Sequence, residues 1–593
     1  MKFNYKNFSI IILSLTLVFS LFVFSSSLMA QSELSFTPGT YTAVTDGHNG
    51  DLTVEVEFGE NEILSVKITE HVESAGISDT PIERIPVKIV DGQTLAVDTV
   101  SGATVTSNAI LTAVTDCVKQ AGGDVEYLEQ KQVDQTTTSK ETVLETDVVV
   151  VGAGGTGLSA AASAHQNGAD VIVLEKLATI GGSTGLSGGG ISATGTKFQE
   201  ERGIKDNKGS WMELWIQRQA RSNESGKYPD YSRLDKFMDA AVVTTEWLAD
   251  YVGHVYGAVT GFGLDPAERL HFPKDGGGAK LIQNIADFLN EEGVEILTET
   301  PATELILNDN GEVTGVIAES NEGKVTVNAK KVILATGGYA SNNEMLEKYI
   351  PELAGSADLT AATPGATGDG IKMSKKVDAA LYEEPWVIGL GVATKVKGTS
   401  SLMMDWTKLY VNEEGKRFTN EQVHYAIATN KIAEQDTPWV IFDSKESNAN
   451  LIDAIKAASS SKEAVSADSI TGLAKKMNVS EDKFANTIET YNKGVETGKD
   501  KMGKDADYLV SINKAPFYAI KLYPKTMGTF AGVKTNDNYQ VLDKKGNIVK
   551  NLYAGGEMAN KVLYNQVYMS GSAVQFALTS GRIAGEHAAK EIE

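Results

Sequence analysis

Two patterns of apolar positions divide the chain. At 52–56 and again at 63–68, apolar residues alternate with polar ones, which is typical of strands that bury one face. Residues Ala109 to Gln120 instead repeat apolar positions with a helical period. We therefore predict a self-contained domain over residues 37–125, with a short antiparallel sheet followed by a helix. The polar, Thr-rich segment 126–144 predicts a linker.

The second pattern is a strand, a glycine-rich loop and a helix in direct succession. Thr146 to Val151 is a continuous apolar run, a glycine-rich loop follows it, and an Ala-rich helix runs to about Asn167. Residues 170–174 predict a second strand, which ends at Glu175. In this context the pattern Gly-x-Gly-x-x-Gly binds a dinucleotide, whose pyrophosphate approaches the backbone at the helix N-terminus and whose ribose binds the acidic residue. The three glycines are Gly152, Gly154 and Gly157. A structural turn without ligand is the alternative.

Five further glycine-rich segments favour FAD over a nicotinamide cofactor. Small residues at 181–184 and 188–190 let the chain wrap an extended flavin dinucleotide. Three distant segments have the same character, at 335–338, 365–370 and 552–557. We therefore predict that the cofactor of this domain is FAD.

Composition narrows the chemistry further. The single cysteine, Cys117, leaves no internal disulfide and excludes Cys-based haem attachment, iron-sulfur clusters and Cys-based zinc sites. It lies on the predicted helix and is expected to be packed and inert. Electron transfer is therefore expected to use organic cofactors, and no metal site is predicted. The net charge of −24 argues against nucleic acid or anionic lipid as a partner.

The first thirty residues have the layout of an export signal. Lys2 and Lys6 precede an apolar run from Phe8 to Phe24, and small residues follow. We expect a signal peptide at 1–30 and a location outside the cytoplasm, whether secreted, periplasmic or at the cell surface. A retained N-terminal anchor is the alternative, since the apolar run is close to the roughly 18 residues that span a bilayer.

A short motif before the first predicted helix carries more specific chemistry. Asp98, Ser101, Gly102, Ala103 and Thr104 reproduce the order Asp, two variable positions, Ser or Thr, Gly, Ala, Thr. The motif resembles the site of small FMN-binding domains of bacterial electron-transfer proteins, in which FMN is esterified through its phosphate to the last Thr. The resemblance implies covalent FMN on Thr104 and an FMN transferase as a partner. A Ser/Thr-rich loop without a flavin is the alternative.

From about residue 145 onward, the chain resembles the FAD-containing fumarate reductase and succinate dehydrogenase superfamily. The closer likeness is to its secreted branch with an N-terminal covalent-FMN domain, which includes urocanate reductase. The glycine segments carry the resemblance, together with Asn-x-x-Gly-x-Arg-Phe-x-Asn-Glu at 412–421. It implies an α/β fold, in which a Rossmann-like FAD-binding domain (145–383 and 527–593) has an inserted α+β capping domain (384–526), preceded by the small α+β FMN-binding domain. FAD is expected to be held non-covalently by Ala153, Glu175, Ser183, Thr184, Gly189, Ala302, Asp369, Glu557, Ala573 and Val574.

The chain departs from this family where substrate would bind. Fumarate reductases of this type hold a dicarboxylate with arginines, and one arginine delivers the proton. Eight residues after Arg417, at the position of that arginine, this chain has Tyr425, preceded by His424. A second carboxylate-binding arginine is replaced by Tyr568, and the family's His before Thr-Met-Gly aligns with Lys525.

The distribution of arginines supports the same conclusion. After Arg269 only Arg417 and Arg582 remain, and both lie in segments that predict structural roles. No bidentate clamp for a dicarboxylate is therefore expected. Fumarate and succinate are disfavoured as substrates, and so is urocanate, because urocanate reductases also use an arginine at the position of Tyr425.

Tyrosines facing a flavin suggest another chemistry. The segment Tyr568 to Gly571 is similar to one in 3-ketosteroid dehydrogenases, where a Tyr hydroxyl and a Gly amide polarise an enone carbonyl. An unperturbed Tyr, with a pKa of about 10, is protonated at neutral pH and can donate. We predict Tyr425 as proton donor, Tyr568 as the contact for a carbonyl or carboxylate, Lys525 as partner of a single carboxylate and His424 as proton relay. Packed aromatic residues and a solvated Lys or His are the alternatives. Four further aromatic residues would suit an apolar substrate: Trp386, Trp406, Tyr410 and Tyr564.

Taken together, these features predict an exported, flavin-dependent reductase of an activated C=C bond, a 2-enoate or an enone. Electrons would pass from an extracytoplasmic redox protein or membrane carrier to FMN and then to FAD, in anaerobic respiration. Two alternatives remain open: an FAD-dependent dehydrogenase of a ketone or ketosteroid, and a non-catalytic flavin electron relay.

Overall fold

The computed structural model describes residues 34–47, 50–73, 78–100, 103–131, 140–220, 226–458 and 462–592. The described residues divide into two compact units, one up to Lys131 and the other from Lys140 onward. The predicted signal peptide lies outside the described residues. Among the helices of the described residues, none is both long and apolar enough to span a bilayer.

The first unit contains a three-stranded antiparallel sheet, β1 (Gly39–Asp46), β2 (Asp51–Phe58) and β3 (Ile63–Glu70), in that order. The even-numbered residues 52–58 of β2 are buried, as the alternating pattern predicts. Helix α2 (Thr104–Gln120) packs on β1 and β2, and the Cys117 thiol contacts the Tyr41 carbonyl at 3.5 Å.

Two helices of this unit were not expected from the sequence. Helix α1 (Asp79–Gly92) contains Pro81 near its start and Pro86 inside it. Proline disfavours the interior of a helix, so the sequence did not predict one here. Helix α3 (Val125–Gln130) overlaps the start of the segment predicted as a linker, and Asp124 caps it by accepting from the Tyr127 amide at 3.0 Å.

The second unit is built on an eight-stranded mixed sheet. Its order is β10-β11-β12-β4-β5-β9, with β20 added beside β12 and β19 beside β20. Its strands are β4 (Thr142–Val151), β5 (Val171–Leu174), β9 (Glu295–Leu297), β10 (Ala302–Leu307), β11 (Val313–Ser320), β12 (Gly323–Leu334), β19 (Gln540–Leu542) and β20 (Ile548–Ala554). Strands β4, β5, β9, β12 and β20 pair in parallel, which is the arrangement of a doubly wound sheet.

Helix α4 (Gly155–Gln166) connects β4 to β5 and packs against the last helix, α16 (Ser572–Lys590). The contact is close because Gly581 and Gly585 face α4: a Cβ at either position would lie 2.1 Å from a carbonyl oxygen of α4. This packing brings the C-terminal segment against the glycine-rich loop.

Between these elements the chain adds further helices and a small sheet in the order β6-β8-β7. The strands are β6 (Ile191–Ser192), β7 (Tyr256–Phe262) and β8 (Asp265–Pro273). The helices are α5 (Gly182–Gly185), α6 (Lys197–Glu201), α7 (Lys208–Ala220), α8 (Tyr231–Asp250), α9 (Gly278–Glu291), α10 (Asn343–Tyr349) and α11 (Asp369–Ser374).

Residues 384–526 contain a four-stranded antiparallel sheet of their own, in the order β14-β15-β17-β16. A two-stranded ribbon, β13 (Trp386–Ala393) with β18 (Tyr523–Phe530), connects this region to the rest of the second unit. The sheet strands are β14 (Leu409–Val411), β15 (Trp439–Asp443), β16 (Ala464–Ala467) and β17 (Phe517–Lys521). The helices are α12 (Tyr425–Ala433), α13 (Ala449–Ala457), α14 (Ile470–Met477) and α15 (Glu481–Thr497).

Candidate functional site

The glycine-rich loop after β4 adopts a conformation that side chains would prevent. Gly152 has φ +108°, and a Cβ there would lie 2.5 Å from the Ala335 carbonyl oxygen. A Cβ at Gly157 would lie 1.7 Å from the Gly152 carbonyl oxygen, so α4 can begin this close to the sheet only with glycine. Gly152 and Gly154 line a cavity of about 400 Å³. Gly157 does not line it and packs against the Gly152 carbonyl.

Glu175, at the end of β5, also lines this cavity. Its carboxylate accepts from the amides of Ala153 and Leu177, both at 2.8 Å. Ala153 itself is buried and does not line the cavity; its amide orients Glu175. Burial raises the pKa of Glu175, and the two amides act against that rise by stabilising the charged form.

The other residues assigned to FAD by resemblance line the same cavity. They are Ser183, Thr184, Gly189, Ala302, Asp369, Glu557, Ala573 and Val574. Asp369 receives the Lys176 ammonium at 2.6 Å, which lowers the pKa of Asp369 against the effect of burial. Burial raises the pKa of Glu557 to about 7, although the carboxylate accepts from the Thr529 amide at 2.8 Å.

These residues fit an extended dinucleotide. The loop offers backbone amides at the N-terminus of α4 for a pyrophosphate, and Glu175 lies at the end of β5, where the dinucleotide pattern puts the acceptor for ribose hydroxyls. A Cβ at Gly189 would lie 2.6 Å from the Gly277 backbone, so the chain beside the cavity stays open only because that position is glycine.

Away from the glycine-rich loop, the cavity holds both predicted catalytic tyrosines. Tyr425, the first residue of α12, and Tyr568 both line it, and their ring centroids lie 6.2 Å apart. The Tyr425 hydroxyl lies 2.8 Å from Ser570 Oγ. Burial raises the pKa of Tyr425 well above its ordinary value and that of Tyr568 to about 12, so both hydroxyls stay protonated at neutral pH.

The Tyr568 hydroxyl accepts from the Gly571 amide at 3.0 Å. The amide of Gly571, which the resemblance in sequence suggested for binding a substrate carbonyl, is thus bonded to the tyrosine itself. Because the hydroxyl oxygen accepts from the amide, its hydrogen remains available as a donor.

His424 lies behind this pair and does not line the cavity. Its Nδ1 caps α12 by accepting from the Ala426 amide at 3.3 Å, and its Nε2 lies 3.5 Å from Ser570 Oγ. Burial, assisted by the charge of Arg218, lowers the pKa of His424 to about 3, so the imidazole is neutral at ordinary pH. Sequence reasoning missed Ser570, whose Oγ contacts both the Tyr425 hydroxyl and His424 Nε2.

The structure does not bring Lys525 to the cavity, which corrects that prediction. The register of the β13–β18 ribbon pairs Ile388 with Gly528 and Gly389 with Thr526, leaving Met527 as the extra residue of a bulge. Met527 lines the cavity in place of the lysine. The bulge is a feature of pairing between distant strands and leaves no local sequence signal.

Three arginines of the second unit are engaged elsewhere. Arg417 forms two contacts with Glu421, at 2.9 and 2.6 Å, and Arg582 lies 3.2 Å from Glu586. Arg218, on α7, lies 3.8 Å from Asp265 and is buried. Among the described residues, Lys176 is the only basic side chain that lines the cavity.

The remaining wall at this end is apolar and was missed by sequence reasoning. It includes Phe262, Leu390, Met403, Met404 and Met527. The four aromatic residues predicted to suit an apolar substrate, Trp386, Trp406, Tyr410 and Tyr564, do not line the cavity and pack within the protein instead.

In the first unit, Thr104 is exposed and is the first residue of α2, after Ala103. Asp98 is exposed as well, whereas Ser101 and Gly102 lie outside the described residues. Ser107 holds the loop to the helix: its Oγ accepts from the Val100 amide at 3.0 Å and donates to the Ala103 carbonyl at 2.9 Å. The Thr104 hydroxyl is thus presented at a helix N-terminus, where an attached phosphate is favoured.

Comparison with known families agrees with this division. The FAD binding domain family matches residues 147–573, and the FMN-binding domain family matches residues 47–119. The predicted fold class and the two cofactors, FAD and FMN, are thereby confirmed. The matched ranges contain the cavity residues up to Ala573 and the Thr104 motif.

Two characterised relatives and one solved structure show the range of proteins that the chain resembles. It is 32% identical to an NADH:acrylate oxidoreductase of Vibrio harveyi over 94% of this chain, but spans only 61% of that relative's length. It is 30% identical to the vinyl phenol reductase of Lactiplantibacillus plantarum, over 75% of this chain and 96% of the relative. An open flavocytochrome c3 fumarate reductase structure is 28% identical with a TM-score of 0.59, covering 76% of this chain and 79% of that one.

Proposed function

Because the chain belongs to the family of FAD-dependent reductases that includes the fumarate reductases, with an FMN-binding domain ahead of its FAD-binding domain, we propose that it reduces an activated C=C bond. The observation that carries the proposal is the placement of Tyr425 and Tyr568 in the cavity that the dinucleotide loop also lines. Two protonated hydroxyls at that point suit protonation of a substrate carbon and binding of its activating group.

FAD, when bound and reduced, supplies a hydride to the carbon β to the activating group. Tyr425 donates its hydroxyl proton to the α carbon, as a general acid. Tyr568 donates a hydrogen bond to the activating carbonyl while its oxygen is held by the Gly571 amide. Ser570, 2.8 Å from the Tyr425 oxygen, is placed to return a proton to that oxygen afterwards.

Fumarate is disfavoured as the substrate. Its two carboxylates need cationic partners, and Arg218, Arg417 and Arg582 are all paired outside the cavity. An unpaired buried carboxylate costs several kcal/mol, which tyrosine hydroxyls alone do not offset. The proposal therefore favours a substrate with at most one carboxylate.

The proposal also covers the electron donor, the loading of FMN and the location of the protein. The FMN-binding domain is an acceptor for electrons that pass to FAD, from a redox protein or a membrane carrier outside the cytoplasm. An FMN transferase would load Thr104. The export layout of the first thirty residues supports a role in anaerobic respiration outside the cytoplasm.

The test is anaerobic reduction of the flavin-loaded protein, followed by its reoxidation with fumarate, urocanate, acrylate, cinnamate and an enone. We expect reoxidation by an enone or a monocarboxylate, and none by fumarate. Rapid turnover of fumarate contradicts the argument from arginines. Failure of every acceptor, combined with electron exchange with another redox protein, indicates a flavin relay, and oxidation of a ketone by the oxidised protein indicates a dehydrogenase.

A further inference from the structure

The apolar end of the cavity has a defined composition. Its lining includes Ser570, five apolar residues (Phe262, Leu390, Met403, Met404 and Met527) and the two tyrosines, Tyr425 and Tyr568. The Phe262 ring meets the Tyr425 ring edge-to-face, with centroids 6.2 Å apart. Methionine side chains adapt to flat ligands and make favourable contacts with aromatic rings. Such a wall suits a planar, conjugated molecule.

Three cations of the described residues, Lys176, Arg218 and Lys525, are paired or do not line this part of the cavity. The Lys176 ammonium lies 2.6 Å from Asp369, at the dinucleotide end of the cavity. The Arg218 guanidinium lies 3.8 Å from Asp265 and does not line the cavity. Lys525 is displaced from it by the bulge at Met527.

Histidine and the tyrosines do not supply a positive charge either. His424 is neutral at ordinary pH and lies behind Ser570, and both tyrosines offer only neutral hydroxyls. A carbonyl oxygen needs no more than one such donor, whereas a carboxylate loses its hydration without gaining a cation.

We propose that the substrate of this site is a planar, uncharged, conjugated acceptor, an enone or an aryl-conjugated alkene, bound in preference to any carboxylate. The inference rests on the proposed function and names the substrate class of the same site. Tyr568 binds the neutral polar group, and Phe262 and the methionines enclose the conjugated part. The reaction balances as above: one hydride from reduced FAD and one proton from Tyr425 convert the C=C bond to a C–C bond.

The experiment compares matched acceptors with the full-length, FAD-loaded protein. Benzalacetone and cinnamate share a ring and a C=C bond and differ in a methyl ketone against a carboxylate; methyl vinyl ketone and acrylate form a second pair. We expect kcat/KM to be at least about tenfold larger for the ketone of each pair, because the carboxylate is left unpaired. Equal or faster reduction of the acid overturns the inference and leaves the proposed function intact.

A binding measurement tests the substrate class independently of turnover. Benzylacetone and hydrocinnamate, the saturated counterparts, are titrated into the oxidised protein and followed by the flavin absorbance. Tighter binding of the ketone supports the inference even if no acceptor reoxidises the flavin, a result that contradicts the proposed function alone. Tighter binding of the acid, or binding of neither compound, overturns the inference.

A positive charge introduced into the cavity lining provides a second test of the substrate preference. Met403→Lys places an ammonium beside the substrate, and we expect it to shift the preference toward cinnamate by at least about tenfold, since it supplies the missing partner. Met502→Lys makes the same change at an exposed methionine outside the cavity, and its preference should match the parent protein. An unchanged preference in Met403→Lys contradicts the inference.

Discussion

The Tyr425 hydroxyl lies 2.8 Å from Ser570 Oγ, although 145 residues separate the two in the chain. Tyr425 begins α12 in the inserted region, and Ser570 lies just before α16 in the last part of the FAD-binding domain. The contact therefore exists only when these two parts pack together. It couples the candidate proton donor to the position of the inserted region.

Removing the Tyr425 hydroxyl should impair protonation without affecting FAD. We expect Tyr425→Phe to slow reoxidation of reduced flavin by about 10²–10⁴-fold, the usual contribution of a general acid. Reduction of the flavin by dithionite should be unchanged, and stopped-flow absorbance separates the two steps. Tyr523→Phe is the matched control, because that hydroxyl bonds Glu463 away from the cavity. Equal reoxidation rates in the two variants argue against Tyr425 as the donor.

Ser570→Ala should have a smaller effect of a distinct kind. Loss of one hydrogen bond to the Tyr425 oxygen is worth about 0.5–1.5 kcal/mol, or roughly a twofold to thirteenfold slower reoxidation. If Ser570 returns the proton, the solvent isotope effect on turnover should rise, and Ser570→Thr should restore the rate. A slower rate in Ser570→Ala with an unaltered isotope effect assigns the residue to packing alone.

The sequence predicts best what neighbouring residues determine. The strand, glycine loop and helix at 146–167 follow from local pattern, and so does the placement of Glu175 at the end of the next strand. Lys525 and Met527 exchange places because of a bulge fixed by pairing between β13 and β18. Ser570 and Phe262 reach the cavity only through packing of distant elements, which no local spacing records.

Glu175 offers a test of cofactor binding. Its two oxygens accept from the amides of Ala153 and Leu177, and Glu175→Gln replaces one acceptor with a donor. A hydrogen bond to a charged acceptor contributes about 1.5–3 kcal/mol, so loss of the carboxylate that is expected to receive the FAD ribose hydroxyls should lower FAD affinity by roughly 10- to 150-fold. Fluorescence titration of the apoprotein with FAD measures it. Glu319→Gln, on the exposed part of β11, serves as the control, and equal affinities in the two variants remove Glu175 from the FAD site.

His424 should make the second unit less stable in mild acid. Its pKa is lowered to about 3 in the folded protein, against an ordinary value of about 6.5, so the unfolded chain binds the extra proton first. Above pH of about 6.5 this imidazole does not lower the free energy of unfolding. As the pH drops from about 6.5 toward 3, the free energy of unfolding falls by at most about 1.4 kcal/mol per pH unit. His254 and His271, also buried with lowered pKa values, act in the same direction.

Urea unfolding of the second unit between pH 7 and pH 5 measures this effect. His424→Asn keeps an acceptor at the helix cap and cannot be protonated, so its stability should fall less steeply with acid than that of the parent. The same substitution at His165, a partly exposed residue near Glu292, is the comparison. Parallel slopes for the parent and His424→Asn contradict the buried, neutral imidazole.

A Thr104 variant distinguishes electron delivery to FAD from electron transfer to the substrate. Thr104→Ala, produced together with an FMN transferase, should lack covalent flavin, because the exposed hydroxyl at the start of α2 is the attachment point that the motif predicts. Intact-protein mass spectrometry detects the loss. Thr112→Ala alters another exposed hydroxyl of the same helix and should remain flavinylated. If FMN delivers electrons to FAD, the Thr104→Ala protein should lose reduction by a donor protein but keep substrate reoxidation after dithionite reduction. Loss of both steps together would instead mean that Thr104 supports the fold, and retained covalent flavin would place the attachment on another residue.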